Sequence, residues 1–350
     1  MIYHRFTPSS IHALIIALTV FSVTSLATAY YIDTGLSDPC HEKMTAQALL
    51  QFIDNYPDVA ADIPLPETHL WEMYADAIFE NFDFQVENLS QKYFVASLLI
   101  GTRWPDEHGR SVTSLTSLYD THGDPKDQHE HFLRRLDHDY EAGNVAAVGY
   151  AKSFIADRVN KTFALFDAPS SEQIIPITEY VEYYGQITLH LWGPAYYMGT
   201  AIHTLQDSFS HTVRTDDLSG IVHVMNFLDA VTNDYSPERD GLAHSYGMDE
   251  CSEKNRPIYL SAQAATEEFL EVFTTRDPQI FIEIDSDWLS YHEGCTIQNH
   301  FCNSKWYGHV TSDPTGPIVG CAFSPTPTPA PAHRQSGTPP SGILWRLFFE

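Results

Sequence analysis

The residues best equipped for chemistry lie in Gly199 to Thr212, GTAIHTLQDSFSHT. His203, Asp207 and His211 stand there at i, i+4 and i+8. On a helix they line one face, each about 6 Å above the last. Imidazole nitrogens and carboxylate oxygens are donors that zinc accepts well. A His-x3-Asp pair can grip one metal ion, and a carboxylate has two oxygens, so Asp207 can bridge to a second ion held one turn on. Ile202, Leu205 and Phe209 lie between the polar residues and would pack the other side. Two imidazoles and a carboxylate on such a helix are costly to bury without partners. The alternative to a ligand set is a polar stripe satisfied by neighbouring helices.

The elements that must position these groups read as mainly helical between residues 38 and 280. Met44 to Tyr56 has apolar residues at helical spacing and stops near Pro57. Asp127 to Glu141 carries Phe132, Leu133 and Leu136 against a charged side. Val145 to Phe166 and Ile177 to Leu191 continue the pattern, and alanine-rich Ala262 to Phe273 closes it. Few runs alternate strictly with period two, so the expected fold is an all-α helical bundle. After about residue 281 the chain turns rich in aromatic residues, Gly and Cys, and we expect an irregular, partly β extension over 281–323. Residues 324–350 begin with a Pro-rich, low-complexity stretch expected to be extended and disordered. No internal repeat is evident.

The first 29 residues have a different character. A short basic start with Arg5 leads into an uncharged stretch, Ile11 to Leu26, followed by Ala27-Thr28-Ala29. This reads as a signal peptide with Tyr30 as the new amino terminus. The apolar run is too short for a membrane anchor, for which about 20 residues are needed. The expected localisation is therefore secreted. The full chain has a formal net charge of −27. Without residues 1–29, which hold Arg5 and no acid, 18 basic residues face 46 acidic ones, a balance of −28. A field of that sign repels nucleic acid and anionic lipid surfaces. It suits bound divalent cations, and the 18 His residues are not gathered in a tag-like run. Of five Cys, none form a CxxC pair. Cys295 and Cys302 are close enough for a local bridge, Cys40 with Cys251 is a second candidate pair, and one Cys, by number, is left over.

HTLQDSFSH, taken with DPCHEKMT, GTRWPDE and HEHFLRR upstream, resembles the zinc-dependent phospholipase C superfamily, which includes the S1/P1-type nucleases. It is most similar to secreted bacterial phospholipases C and fungal HET-C-like proteins. The resemblance covers roughly residues 30–250. It implies an all-α bundle holding two or three zinc ions. By the same resemblance His41 and the amino group of Tyr30 share one ion; His41 follows Tyr30 at the distance seen in the family. Asp106 matches a metal ligand that is also discussed as general base. His131 matches a His-Phe ligand, His203 and Asp207 the central pair with Asp207 bridging, and His211 and His223 two ligands of the remaining zinc.

This chain departs from the pattern in two places. The gap from Asp207 to the next His is shorter than in the family. Phe227 stands where a Glu ligand is usual, four residues after His223. The missing carboxylate would come from Asp249, in AHSYGMDEC, with His244 as an alternative imidazole. Lesser candidates are His108, His122, His129 and His190, read as surface or packed residues, Glu42 as a solvated charge or a partner of His41, Asp240 as a weak alternative ligand, and Trp104 as a packing residue. The activity implied is cleavage of glycerophospholipids, of the phosphatidylcholine type, to diacylglycerol and a phosphorylated head group. The partner expected is a membrane or micelle surface, without nucleic acid and without a stable transmembrane anchor. A nuclease of the same superfamily and a non-catalytic membrane-interaction protein are the competing readings.

Overall fold

The computed structural model describes residues 40–79, 86, 88–110, 124–181, 185–228, 235–244, 249 and 251–311. Tyr30, His122, Cys321, the proposed signal segment and the Pro-rich tail lie outside the described residues. The fold is mainly helical with two small sheets. In chain order the main helices are α1 (Cys40–Asn55), α2 (Leu70–Phe79), α3 (Leu89–Glu107) and α4 (Tyr140–Phe166). The strands β1 (Ile174–Val181) and β2 (Gly185–Trp192) form a hairpin that leads into α5 (Gly193–Ser210). After α5 come β3 (Thr212–Arg214), β4 (Gly220–Val224), the short α6 (Pro237–Asp240), α7 (Arg256–Leu270), α8 (Val272–Thr275) and α9 (Gln279–Trp288). The short β5 (Ser290–Tyr291) runs parallel to β4.

The centre is α5. Pro194 sits in its first turn, where a missing N–H costs nothing. All its residues except Tyr197 are buried, so it is a core helix, surrounded by α1, α3, α4 and α7. Ile202, Leu205 and Phe209 are fully buried, as their spacing required. The closest crossing is with α3. A Cβ on Gly101 would lie 2.1 Å from the Tyr196 carbonyl oxygen, and one on Gly199 would lie 2.1 Å from that of Leu98. These two glycines let the backbones touch. That contact sets the last turn of α3 against the second half of α5. Asn88 starts α3 by accepting from the Gln91 N–H at 3.0 Å, and His108 ends it in the left-handed region at φ 47°.

Two segments expected to be helical are not. Ile177–Leu191 is a β-hairpin with Tyr180 opposite Gln186 and Ile177 opposite Leu189. Its β-branched residues and the alternation of Ile187, Leu189 and Leu191 fit period two, and Gly185 takes φ 74° at the turn. Asp127–Asp139 is a series of turns with one bridge, Arg134 to Asn226. Its polar groups find partners far along the chain. The Arg134 N–H donates to Met225 O at 3.0 Å, and its side chain reaches Asn144 and the carbonyls of Tyr140 and Arg239. Those bonds replace a helical ladder and leave Phe132 at φ 51°. Helix α4 begins only at Tyr140.

Beyond residue 281 the chain stays in the same core, through Ile284, Leu289, Cys295, Phe301 and Trp306. It is built of short helices with the two-residue strand β5. Both candidate disulfides are present, Cys40–Cys251 and Cys295–Cys302. Among the described residues no helix is long and apolar enough to cross a membrane.

The crossing of α3 and α5 yields a prediction. Gly199→Ala should destabilise the protein by at least about 1–3 kcal/mol in chemical denaturation, because backbone must move to admit the methyl. Gly149→Ala, in α4 with nothing within 4 Å of its added Cβ, should stabilise by about 0.5–1 kcal/mol.

Candidate metal centre

Four elements bring donors to one buried place. The first turn of α1 carries His41, the last turn of α3 carries Asp106, the turn before Phe132 carries His131, and α5 carries His203 and Asp207. All five are buried, at 0–2% exposure. Asp207 lies at the middle. Its Oδ1 is 3.1 Å from His41 Nε2. Its Oδ2 is 3.0 Å from His203 Nε2 and 3.3 Å from His131 Nδ1. Asp106 Oδ1 is 3.7 Å from His131 Nδ1 and 3.8 Å from His203 Nε2. The His41 and His203 rings stack with centroids 4.0 Å apart. Donor sets able to hold a metal ion are His41, Asp106 and His203 together, and His131, His203 and Asp207 together.

In three of the imidazoles, those of His203, His41 and His211, the outer nitrogen is engaged in a way that fixes the inner one. His203 Nδ1 donates to Thr102 O at 2.8 Å, His41 Nδ1 to Gln206 Oε1 at 2.7 Å, and His211 Nδ1 to His131 O. A neutral ring so held presents a lone pair at Nε2. For His203 and His41 that lone pair faces an oxygen of Asp207, itself an acceptor. Either a second proton or a cation must lie between them. A direct charge-assisted N–H···O bond would be about 2.7–2.9 Å. Tetrahedral ligands at 2.0–2.1 Å from a zinc-sized ion are separated by about 3.3 Å. The two separations, 3.1 and 3.0 Å, lie between these values and accommodate either a proton or a cation. The donor chemistry and the geometry both suit a divalent cation.

A second group lies beyond the end of α5. His211 follows the helix as its C-terminal cap. Its Nε2 is 3.3 Å from Asp249 Oδ1, and His244 Nε2 is 3.1 Å from Asp249 Oδ2. His211, His244 and Asp249 form a third donor set. Among the described residues, neither Asp249 oxygen nor His211 Nε2 has a well-formed hydrogen bond beyond these contacts, which is costly for buried polar atoms. Asp249 and His244 thus stand together with His211, where the sequence offered them as alternatives. His211 Nδ1 is 3.9 Å from Asp207 Oδ2, so the two groups adjoin.

The electrostatics are those of a crowded buried site. Burial works against the charged form of Asp207, but His211, His203 and His41 outweigh it and hold the carboxyl well below its usual range. Burial likewise opposes charge on His211, yet Asp207 and Asp249 push it up to about 9. His41 is raised in the same way against burial, mainly by Asp207. Carboxylates and imidazoles here stabilise one another's charge, and a divalent cation would replace the imidazole protons.

His223 is not in the site. It lies on β4, and its Nε2 accepts the Leu242 N–H at 2.9 Å. Burial, with Arg134 adding, holds it well below the usual imidazole range. Gly241, at φ 89°, lets the backbone come this close: a Cβ there would lie 3.0 Å from His223 Nε2. The lesser candidates are used elsewhere. His108 bonds Glu130 at 3.0 Å and stacks on Trp104, which packs on Tyr196. His129 rests edge-on against Phe154. His190 lies on β2, where its carbonyl accepts from Tyr93. Asp240 is bound by Arg239 and the Ser236 N–H.

Glu42 belongs to a buried network that the sequence did not reveal. Arg103 Nη1 is 3.6 Å from Glu42, Arg103 Nε donates to Glu107 at 2.9 Å, and Tyr74 donates to Glu107 at 3.3 Å. Arg103 thereby ties the residue after His41 to the residue after Asp106. Burial pushes Glu42 up to about 7 despite Arg103. Gln206 and the Thr102 carbonyl were also missed. Gln206 sits inside the quoted motif, and a polar side chain beside Asp207 on so buried a helix was the available signal.

Against models of protein families, curated proteins and solved structures, the chain finds no match. Function must be read from the site itself. The placements predict a contrast in metal content after dialysis, measured by plasma mass spectrometry. His203→Ala should lose bound metal. His223→Ala should keep it, yet fall in stability by about 1–3 kcal/mol, since the Leu242 N–H loses its acceptor. Loss of metal from the latter to the same extent would return His223 to the ligand set.

Proposed function

We propose that the protein is a secreted zinc-dependent phospholipase C, which cleaves glycerophospholipids to diacylglycerol and a phosphorylated head group. The observation that carries this reading is the buried Asp207 carboxylate, whose two oxygens face imidazoles from three separate elements. That is the disposition expected of a bridging ligand, and imidazole with carboxylate suits zinc. His41, Asp106, His131, His203 and Asp207 would hold one pair of ions. His211, His244 and Asp249 would hold a third ion, and the amino group of Tyr30 would add a ligand once residues 1–29 are removed. Zinc, when bound, makes water acidic near neutral pH and offsets charge on phosphate oxygens.

The chain's own residues then have distinct tasks. Thr102 O, Gln206 and His131 O hold three imidazoles with Nε2 inward. Asp106 accepts the proton of the attacking water at its carboxylate. Water attacks phosphorus in line, the bond from phosphorus to the diacylglycerol oxygen breaks, and that oxygen takes up the proton Asp106 received from the water. The acidic balance favours a zwitterionic, phosphatidylcholine-type surface over nucleic acid or anionic lipid. Secretion is in keeping with the two disulfides.

The test is made on the purified, processed protein. Bound zinc is counted, and head-group release from phosphatidylcholine vesicles is followed with and without chelator. Two or three zinc ions and chelator-sensitive release are expected. Asp207→Asn should retain less than about a tenth of the activity while the helical circular dichroism persists. Less than one zinc per chain would favour a non-catalytic protein. Cleavage of single-stranded nucleic acid without lipid cleavage would favour a nuclease.

A further inference from the structure

We infer that Gln206 is a positioning residue that fixes the tautomer of His41 and so makes its Nε2 available to a cation. The inference rests on the zinc site proposed above, but its core is the polarity of a hydrogen-bond chain. Thr266, on α7, donates its hydroxyl proton to Ala262 O at 2.8 Å. Toward Gln206, 3.1 Å away, that hydroxyl can therefore only accept. The amide nitrogen of Gln206 must face it, and also faces Thr45 Oγ1 at 2.9 Å. The amide oxygen is then turned to His41 Nδ1, at 2.7 Å. An amide oxygen only accepts, so the His41 proton resides on Nδ1 and the lone pair on Nε2.

Reversing the amide would reverse this outcome. The nitrogen of Gln206 would face Nδ1, the imidazole proton would move to Nε2, and it would point at Asp207 Oδ1, 3.1 Å away. His41 would then be a hydrogen-bond donor to Asp207 and no ligand. The backbone carbonyl of Ala262 thus selects the ligand form of His41, through two side chains, from a helix that itself contributes none of the site's donors. Gln206, Thr45 and Thr266 are all fully buried, so water does not compete. Partners that orient a metal-bound imidazole affect affinity by about 10- to 100-fold.

Three processed proteins are compared: wild type, Gln206→Met and Gln206→Glu. Zinc affinity is measured by competition with a chromogenic chelator. The ring tautomer of His41 in metal-free protein is read from long-range nitrogen–proton NMR correlations. Wild type should show His41 protonated at Nδ1. Gln206→Met should lose that preference and bind its weakest-held zinc about 10- to 100-fold less tightly. Gln206→Glu still accepts from Nδ1 but gives up the bond to Thr266, so it should lose thermal stability and keep its zinc affinity. A purely structural Gln206 would instead give equal affinity losses in both variants, in step with their melting temperatures. That result, or a wild-type His41 protonated at Nε2 and not at Nδ1, would overturn the inference. Wild type that binds no zinc would sink the metal reading alone, since the tautomer measurement needs no metal.

Discussion

The structure depends on one constraint: the Asp207 carboxylate is taken wholly out of water and must be compensated there. A buried carboxylate without partners costs several kcal/mol. Three imidazoles, from α1, α5 and the turn at residue 131, converge on its two oxygens. None of these imidazoles is near another in the chain, and only His203 shares its helix with Asp207. The bundle can close only if helices that are apolar elsewhere bring polar side chains to the same point. The core around α5 is therefore a shell of aliphatic and aromatic residues built about a polar centre.

The surroundings show how that centre is held. The glycines at the α3–α5 crossing let Thr102 reach His203 and Asp106 reach the site. Arg103 ties the neighbours of His41 and Asp106 together. The Cys40–Cys251 disulfide joins the residue before His41 to a position two residues after Asp249. Two donor groups thus share a covalent anchor. In the unfolded chain that bridge closes a loop of 211 residues, so its effect on the unfolded ensemble is large, about 5 kcal/mol on the usual chain-entropy view.

Much of the site was legible because helical periodicity is local. His203 and Asp207 declared themselves by spacing on a helix whose other faces were apolar, and the helix lies where that spacing put it. Asp249 and His244 were visible as donors, but their meeting with His211 is tertiary. His223 failed for the opposite reason. Its separation from His211 fitted a motif, yet an imidazole can spend its lone pair on any buried N–H, and the Leu242 amide took it. The hairpin at 174–192 and the turns at 127–139 misled because both contain apolar residues three and four apart. In the first the β-branched residues and Gly185 decided for strand. In the second the distant partners of Arg134 did.

The charge pattern follows from the same constraint. Arg103 stands among Glu42, Glu107 and Glu179, all buried. Burial raises Glu179 far above the usual range, with Glu107 adding and Arg103 opposing. Among the described residues, neither Glu179 oxygen has a hydrogen-bond partner. One guanidinium cannot offset three carboxylates, so burial favours the neutral form of the least compensated of them, Glu179. This differs from the candidate metal centre, where the carboxylates face imidazole nitrogens. Two buried acidic clusters in one fold thus resolve the same electrostatic problem differently: one by an arginine and a proton, the other by a donor set shaped for a divalent cation. The difference lies in the partners. Imidazole can change its proton for a metal ion at one nitrogen, while guanidinium can only remain charged.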